Sequence, residues 1–108
     1  MAYDEGLAHL LRDDLEGREV TEMKMFGGIA FMLLGNMVCG IHKGGAMFRV
    51  GKASNAAALA IPGTSPMIFT GKPMAGFVAC DDDCAADDAR RGALMALALA
   101  FVHTLPPK

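Results

Sequence analysis

The chain has 108 residues, of which 53% are hydrophobic and 20% are charged, and its formal net charge is −2. This length allows one hydrophobic core and is too short for two, so we expect a single domain over residues 1–108. The composition is that of a globular chain and argues against disorder, and the scattering of its ten basic residues argues against direct nucleic-acid binding.

The first predicted helix covers residues 3–16. Leu7, Leu10, Leu11 and Leu15 fall at i, i+3, i+4 and i+8, which places them on one face of a helix, and Gly17 follows as an end signal. An amphipathic helix with one apolar face is therefore expected here.

Four strands are expected next, because the apolar residues change from helical spacing to alternation after Val20. The first two strands meet across a glycine bend at Gly27 and Gly28. The second and third are joined at Gly35 and Asn36, since both residue types tolerate the positive φ of tight hairpin turns. The fourth strand is predicted over residues 46–50.

Ser54 is the predicted N-cap of a short alanine-rich second helix that ends at about residue 60. A last helix is expected to open at Asp87 and Asp88 and to end at about residue 105, before two prolines.

Two further strands, residues 67–70 and 77–80, are predicted between these helices. Gly71, Pro73 and Gly76 lie in their connection, which we expect to be longer than a tight hairpin because proline cannot donate to a central ladder. The predicted order is thus helix, four strands, helix, two strands, helix. Strands grouped in runs indicate an α+β fold, with an antiparallel sheet of about six strands and helices packed on it.

The run from Cys80 to Cys84, with three aspartates between the thiols, is the strongest candidate for a metal site. Structural zinc requires four ligands, and no second Cys or His pair is available; calcium requires alternating oxygen ligands and a distal glutamate. A solvated acidic turn before the last helix is the favoured interpretation. No metal or cofactor is expected, and Cys39 is interpreted as a buried, unreactive strand residue.

Three cations are candidates for contact with a ligand or partner. Arg49 stands among apolar strand residues, and Lys24 and Lys72 adjoin the glycine-rich segments. Neither glycine segment leads into a helix, so a phosphate loop is not predicted. The nine methionines are expected chiefly to fill the core in place of bulkier residues.

Five short segments carry a family resemblance: Lys-Met-Phe-Gly-Gly at 24–28, Gly-Asn-Met at 35–37, Arg-Val-Gly at 49–51, Phe-Thr-Gly-Lys-Pro-Met at 69–74, and Leu-Pro-Pro-Lys at 105–108. In this order they resemble the TfoX N-terminal domain family. The resemblance implies a compact α+β domain with an antiparallel sheet, in a family named after a competence regulator that acts together with the cAMP receptor protein. It therefore implies a protein partner in transcription regulation. Arg91 departs from the family pattern, which usually has a bulky apolar residue there.

With no convergent catalytic residues in the sequence, we expect a non-enzymatic regulatory or protein-interaction domain; the alternative is a small-molecule-binding domain or an undescribed enzyme. Residues 93–102 are apolar on every face, which predicts a homodimer whose interface includes the C-terminal helix; the alternative is that the first helix covers this run within the same chain. The same run is too short to cross a bilayer. Without a signal-peptide pattern, and with an odd number of cysteines, a cytoplasmic location is expected.

Overall fold

The computed structural model describes residues 5–25, 28–42, 45–69 and 71–107. Its elements are α1 Glu5–Asp14, β1 Val20–Met25, β2 Gly28–Leu33, β3 Asn36–His42, β4 Gly45–Arg49, a 3₁₀ turn Lys52–Ser54, α2 Asn55–Leu59, β5 Thr64–Phe69, β6 Lys72–Cys80, α3 Asp82–Ala86 and α4 Asp88–Val102. The predicted α+β class is confirmed. Among these residues, no helix has the length and apolar character needed to cross a membrane.

The six strands form one antiparallel sheet in the order β1-β2-β3-β4-β6-β5. The first four strands follow one another as a meander. β6 then pairs with β4, and β5 pairs with the far side of β6, so β1 and β5 are the two edge strands. Both chain halves therefore contribute to one continuous sheet.

The helices and one face of the sheet enclose the hydrophobic core. Alternate strand residues point to this face, and Phe31, Cys39, Phe48 and Val78 are cross-strand neighbours on it with no solvent exposure. The buried residues of α4, among them Leu94, pack onto β3 and β4. The intervening strand residues point to the opposite face of the sheet, which we call the outer face.

The outer face carries several methionines. Met23, Met32, Met37 and Met47 lie on it, and Met23 is 50% exposed. The terminal methyl groups of Met37 and Met47 both approach Gly40, each 3.2 Å from the position that a Cβ there would take. The expectation that methionine chiefly fills the core is wrong for this face, because strand alternation turns these side chains away from the helices.

A buried cation joins three helices below the sheet. Arg91 of α4 is 5% exposed; its Nε lies 2.7 Å from Oδ2 of Asp14, the last residue of α1. Its Nη2 lies 2.7 Å from Asp88, and its Nη1 donates to the Ala85 carbonyl of α3 at 2.9 Å. These bonds raise the pKa of Arg91 further. The arginine that departs from the family pattern therefore stands in a satisfied polar network, which is the condition for burying a charge.

Three local expectations differ from the structure in whole or in part. The turn between β2 and β3 has its positive φ values at Leu34 and Gly35, not at Gly35 and Asn36, and the Asn36 side chain instead donates to the Pro106 carbonyl. Ser54 occupies the N-cap position of α2 as predicted, but its side chain makes no capping hydrogen bond. The predicted acidic turn is in fact the short helix α3, an element additional to the predicted order; its N-cap Asp81 accepts from the backbone N–H of Cys84.

The connection between β5 and β6 also differs from the prediction. Phe69 pairs with Lys72 and Ile68 with Pro73, so the hairpin is tight and Pro73 lies inside β6. The proline is tolerated because β4 pairs only with Phe77 and the residues after it, which leaves this part of β6 without a second neighbour in the described sheet.

Candidate functional site

An open pocket of about 400 Å³ lies at the end of β4, where the sheet meets the end of α4. Its lining combines two aromatic rings, Phe77 and Phe101, with two cationic residues, Arg49 and Lys52. We call it the Arg49 pocket. A second concavity of about 500 Å³ lies between α1 and α3, with Asp82 as its charged lining residue.

Arg49 lies between two aromatic rings. Its Cζ is 5.8 Å from the centroid of the Phe77 ring and 5.4 Å from that of Phe101. Both distances are within the range of cation–π attraction, which holds the guanidinium in place without neutralising it. Neither Arg49 nor Lys52 forms an ion pair with a carboxylate among the described residues. The pocket is thus positively charged and able to accept an anionic group.

The backbone around the pocket is fixed by glycine. Gly76 has φ +89°, and its carbonyl accepts from the N–H groups of Val50 at 2.8 Å and Gly51 at 3.0 Å. Its own N–H donates to Asn55 Oδ1 at 3.2 Å. A side chain at Gly76 would meet the backbone of Gly51 and Lys52 at 3.1 and 3.2 Å. Residue 76 therefore holds the pocket wall in a conformation that strongly favours glycine.

The three predicted contact cations do not converge. Arg49 lines the pocket, whereas Lys24 lies on the edge strand β1 and Lys72 at the start of β6, both exposed. Lys24 is separated from β4 by two intervening strands. Lys72 belongs to the hairpin beyond the region where β6 pairs with β4.

The glycines and the proline predicted to shape the fold have different roles. Gly28 pairs with Met25 and lies close to the Ile41 carbonyl, Gly71 has φ +79° in the β5–β6 turn, and Pro73 lies in β6 as described above. Gly27 lies outside the described residues. Gly28 is therefore favoured because two strands approach closely there, whereas Gly71 is favoured because the turn has a positive φ.

A profile of the TfoX N-terminal domain matches residues 12–102 of the 108-residue chain. The chain belongs to the TfoX N-terminal domain family. No curated protein and no solved structure matches it. The match covers both the sheet and α4, so every residue of the Arg49 pocket lies within the TfoX N-terminal domain.

The thiols of this TfoX N-terminal domain are buried. Cys39, Cys80 and Cys84 are free cysteines with at most 1% exposure. Burial raises the pKa of the Cys39 thiol, and burial together with a hydrogen bond that the neutral Cys80 thiol donates to Cys84 raises that of Cys80. A thiol held in its neutral form is a poor nucleophile and a poor metal ligand. Among the described residues, no three His, Cys, Asp or Glu side chains converge as a metal site.

Sequence reasoning found Arg49 but missed its neighbours in the pocket. Lys52, Phe77 and Phe101 come from a 3₁₀ turn, a strand and a helix, and no local spacing connects them. The one available signal was the pairing of Arg49 with Phe77, which requires the strand order to be known.

Proposed function

We propose that this TfoX N-terminal domain is a non-enzymatic protein-interaction domain that binds an acidic group of a regulatory partner in the Arg49 pocket. The observation that carries the proposal is the guanidinium of Arg49, oriented by two aromatic rings and not paired with a carboxylate among the described residues. Arginine and aromatic side chains are enriched at the energetic centres of protein interfaces.

The burial of the cysteines supports a binding role over thiol catalysis, because a buried neutral thiol cannot attack a substrate. Free thiols also suit the reducing cytoplasm, where we place the protein. For the partner, the family points to transcription regulation, with the cAMP receptor protein as the first candidate.

The test is a titration of the isotope-labelled domain with purified cAMP receptor protein and cAMP, followed by amide chemical shifts. We expect shifts centred on Arg49, Phe77 and Phe101. Arg49→Gln removes a charged hydrogen bond and should weaken binding about tenfold or more. Lys72→Gln removes an equal charge outside the pocket and is the matched control. Equal loss in both variants, or shifts centred elsewhere, contradicts the proposal.

A second candidate function is the binding of a small organic anion. The volume of about 400 Å³ and the paired rings favour an aromatic carboxylate. Benzoate is the probe: saturable shifts at the pocket, lost in Arg49→Gln, would support this function, and their absence would remove it.

For self-association of this chain we propose two alternative interfaces, of which the C-terminal helix is the first. α4 buries its large residues Leu94, Met95 and Leu99 against the chain itself, and its exposed side presents small residues, among them Ala96 and Ala100. A second copy would therefore meet a flat strip of small side chains, which suits close helix packing.

A further inference from the structure

The two edges of the sheet differ in how open they are to further pairing. β5 contains Pro66, which lacks an N–H donor, and its pairing with β6 shifts register between Pro66 and Ile68. Proline and register irregularities are the devices that protect sheet edges. β1 has neither a proline nor a register shift: it forms six consecutive pairs with β2. No other described strand pairs with its second edge.

The charges on β1 follow an alternating pattern. Glu22 and Lys24 point to one side of the sheet and Met23 to the other. Arg12 Nε and Nη2 bind the two carboxylate oxygens of Glu22 at 2.6 and 2.8 Å and lower its pKa, so it carries its negative charge at neutral pH. Lys24 is exposed. Opposite charges thus lie symmetrically around the exposed Met23.

We propose that β1 pairs antiparallel with β1 of a second copy of this chain, about a twofold axis at Met23. A twofold axis perpendicular to the sheet keeps both helix layers on the same side and brings the same edge of each copy together. Pairing centred on Met23 places Glu22 of each copy opposite Lys24 of the other. Each such cross-strand pair of opposite charges stabilises the sheet.

The charges select this register over its neighbours. A perpendicular twofold requires a residue to lie opposite itself, so the alternative centres next to Met23 are Glu22 and Lys24. Those centres would place two glutamates or two lysines directly opposite each other, which is destabilising. The strand is therefore complementary to itself in one register.

The outer face also becomes continuous in the paired sheet. Met23 neighbours Ala30, then Gly40, then Met47 in one row across the strands. Pairing at Met23 brings the two exposed methionines together in the centre of a doubled row. Because the edge pairing covers only residues 21–25 of each copy and buries little surface, we expect a weak dimer with a dissociation constant on the order of micromolar.

The test is the mass of the untagged full chain by sedimentation equilibrium over a concentration series. Wild type should move from 11.3 kDa towards twice that mass. Lys24→Glu places glutamates opposite each other without touching the Arg12 pair, and should raise the dissociation constant about tenfold or more. Arg12→Glu with Glu22→Lys and Lys24→Glu reverses the whole set and should restore dimerisation.

Lys72→Glu makes the same charge change away from β1, so its mass at each concentration should equal that of wild type. Thermal melts verify that each variant folds. A wild-type chain that stays monomeric at about 100 µM overturns the proposal, since weak dimers populate at that concentration. So does a Lys24→Glu chain that dimerises as tightly as wild type. If Ala96→Arg abolishes the dimer and Lys24→Glu does not, the interface is α4 and the proposed β1 interface is wrong.

Discussion

Gly28 is the position where one added methyl group should destabilise the sheet most. A Cβ built on Gly28 overlaps the carbonyl oxygen of Ile41 and lies 2.8 Å from the carbonyl carbon. Gly28 is not among the residues with positive φ. The need for glycine therefore comes from the close approach of β2 and β3, and backbone conformation is not its cause.

The size of the effect follows from which atom is in the way. A flexible side chain could rotate aside, but a backbone carbonyl in a sheet moves only if the strands part. Overpacking of this kind costs about 1–3 kcal/mol, and the rigid neighbour puts Gly28→Ala at about 2–3 kcal/mol. For a domain of this size, the melting temperature should fall by roughly 8–15 °C. Gly28→Val should cost more.

The assay is thermal unfolding followed by far-ultraviolet circular dichroism, with Gly92→Ala as the matched control. Gly92 lies on the exposed side of α4, and a Cβ there meets nothing within 4 Å. That substitution should stabilise the protein by about 0.5–1 kcal/mol, because alanine favours helix interiors. A Gly28→Ala protein whose melting temperature equals or exceeds that of wild type would refute the close-approach argument.

Three further outcomes are expected. Arg91→Met should lower the free energy of unfolding by about 1–3 kcal/mol in denaturant titration, since it leaves the partly buried Asp14 and the Ala85 carbonyl without their donor; Arg90→Met removes a partly exposed arginine and is the comparison, and equal losses would contradict the network. Leu34→Asn should raise the melting temperature, because asparagine relieves about 1 kcal/mol of left-handed strain at φ 52°; a lower value would show that the leucine side chain contributes more than the strain costs. All three thiols should react with a disulfide reagent only after unfolding; fast labelling of the native protein, or stoichiometric zinc in it, would show an accessible site.

The sequence alone determined the elements that depend on local pattern. The spacing of the leucines gave α1, and the change to alternation marked the meander, because helical and strand periods are properties of a few consecutive residues. Asp87 identified the start of α4, and its carboxylate accepts from the Arg90 N–H at 3.0 Å. The α+β class followed from the grouping of these elements.

Local reasoning misjudged the elements whose form depends on neighbours. Pro73 argued for a long connection, yet it pairs with Ile68 because β4 does not extend that far along β6. The acidic run after Cys80 forms a helix because Asp81 caps it and Cys84 packs in the core. Neither condition is visible without the strand order.

The candidate site was decided by tertiary structure. Arg49 was recognisable as an isolated strand cation, but its partner Phe101 lies at the end of α4. The strand order places Lys24 and Lys72 away from Arg49. The exposure of Met23 was likewise hidden, since a sequence shows that a residue alternates without showing which face the helices cover. Residues far apart in the chain meet only when register and helix placement are fixed, and both are set by the burial of the whole core.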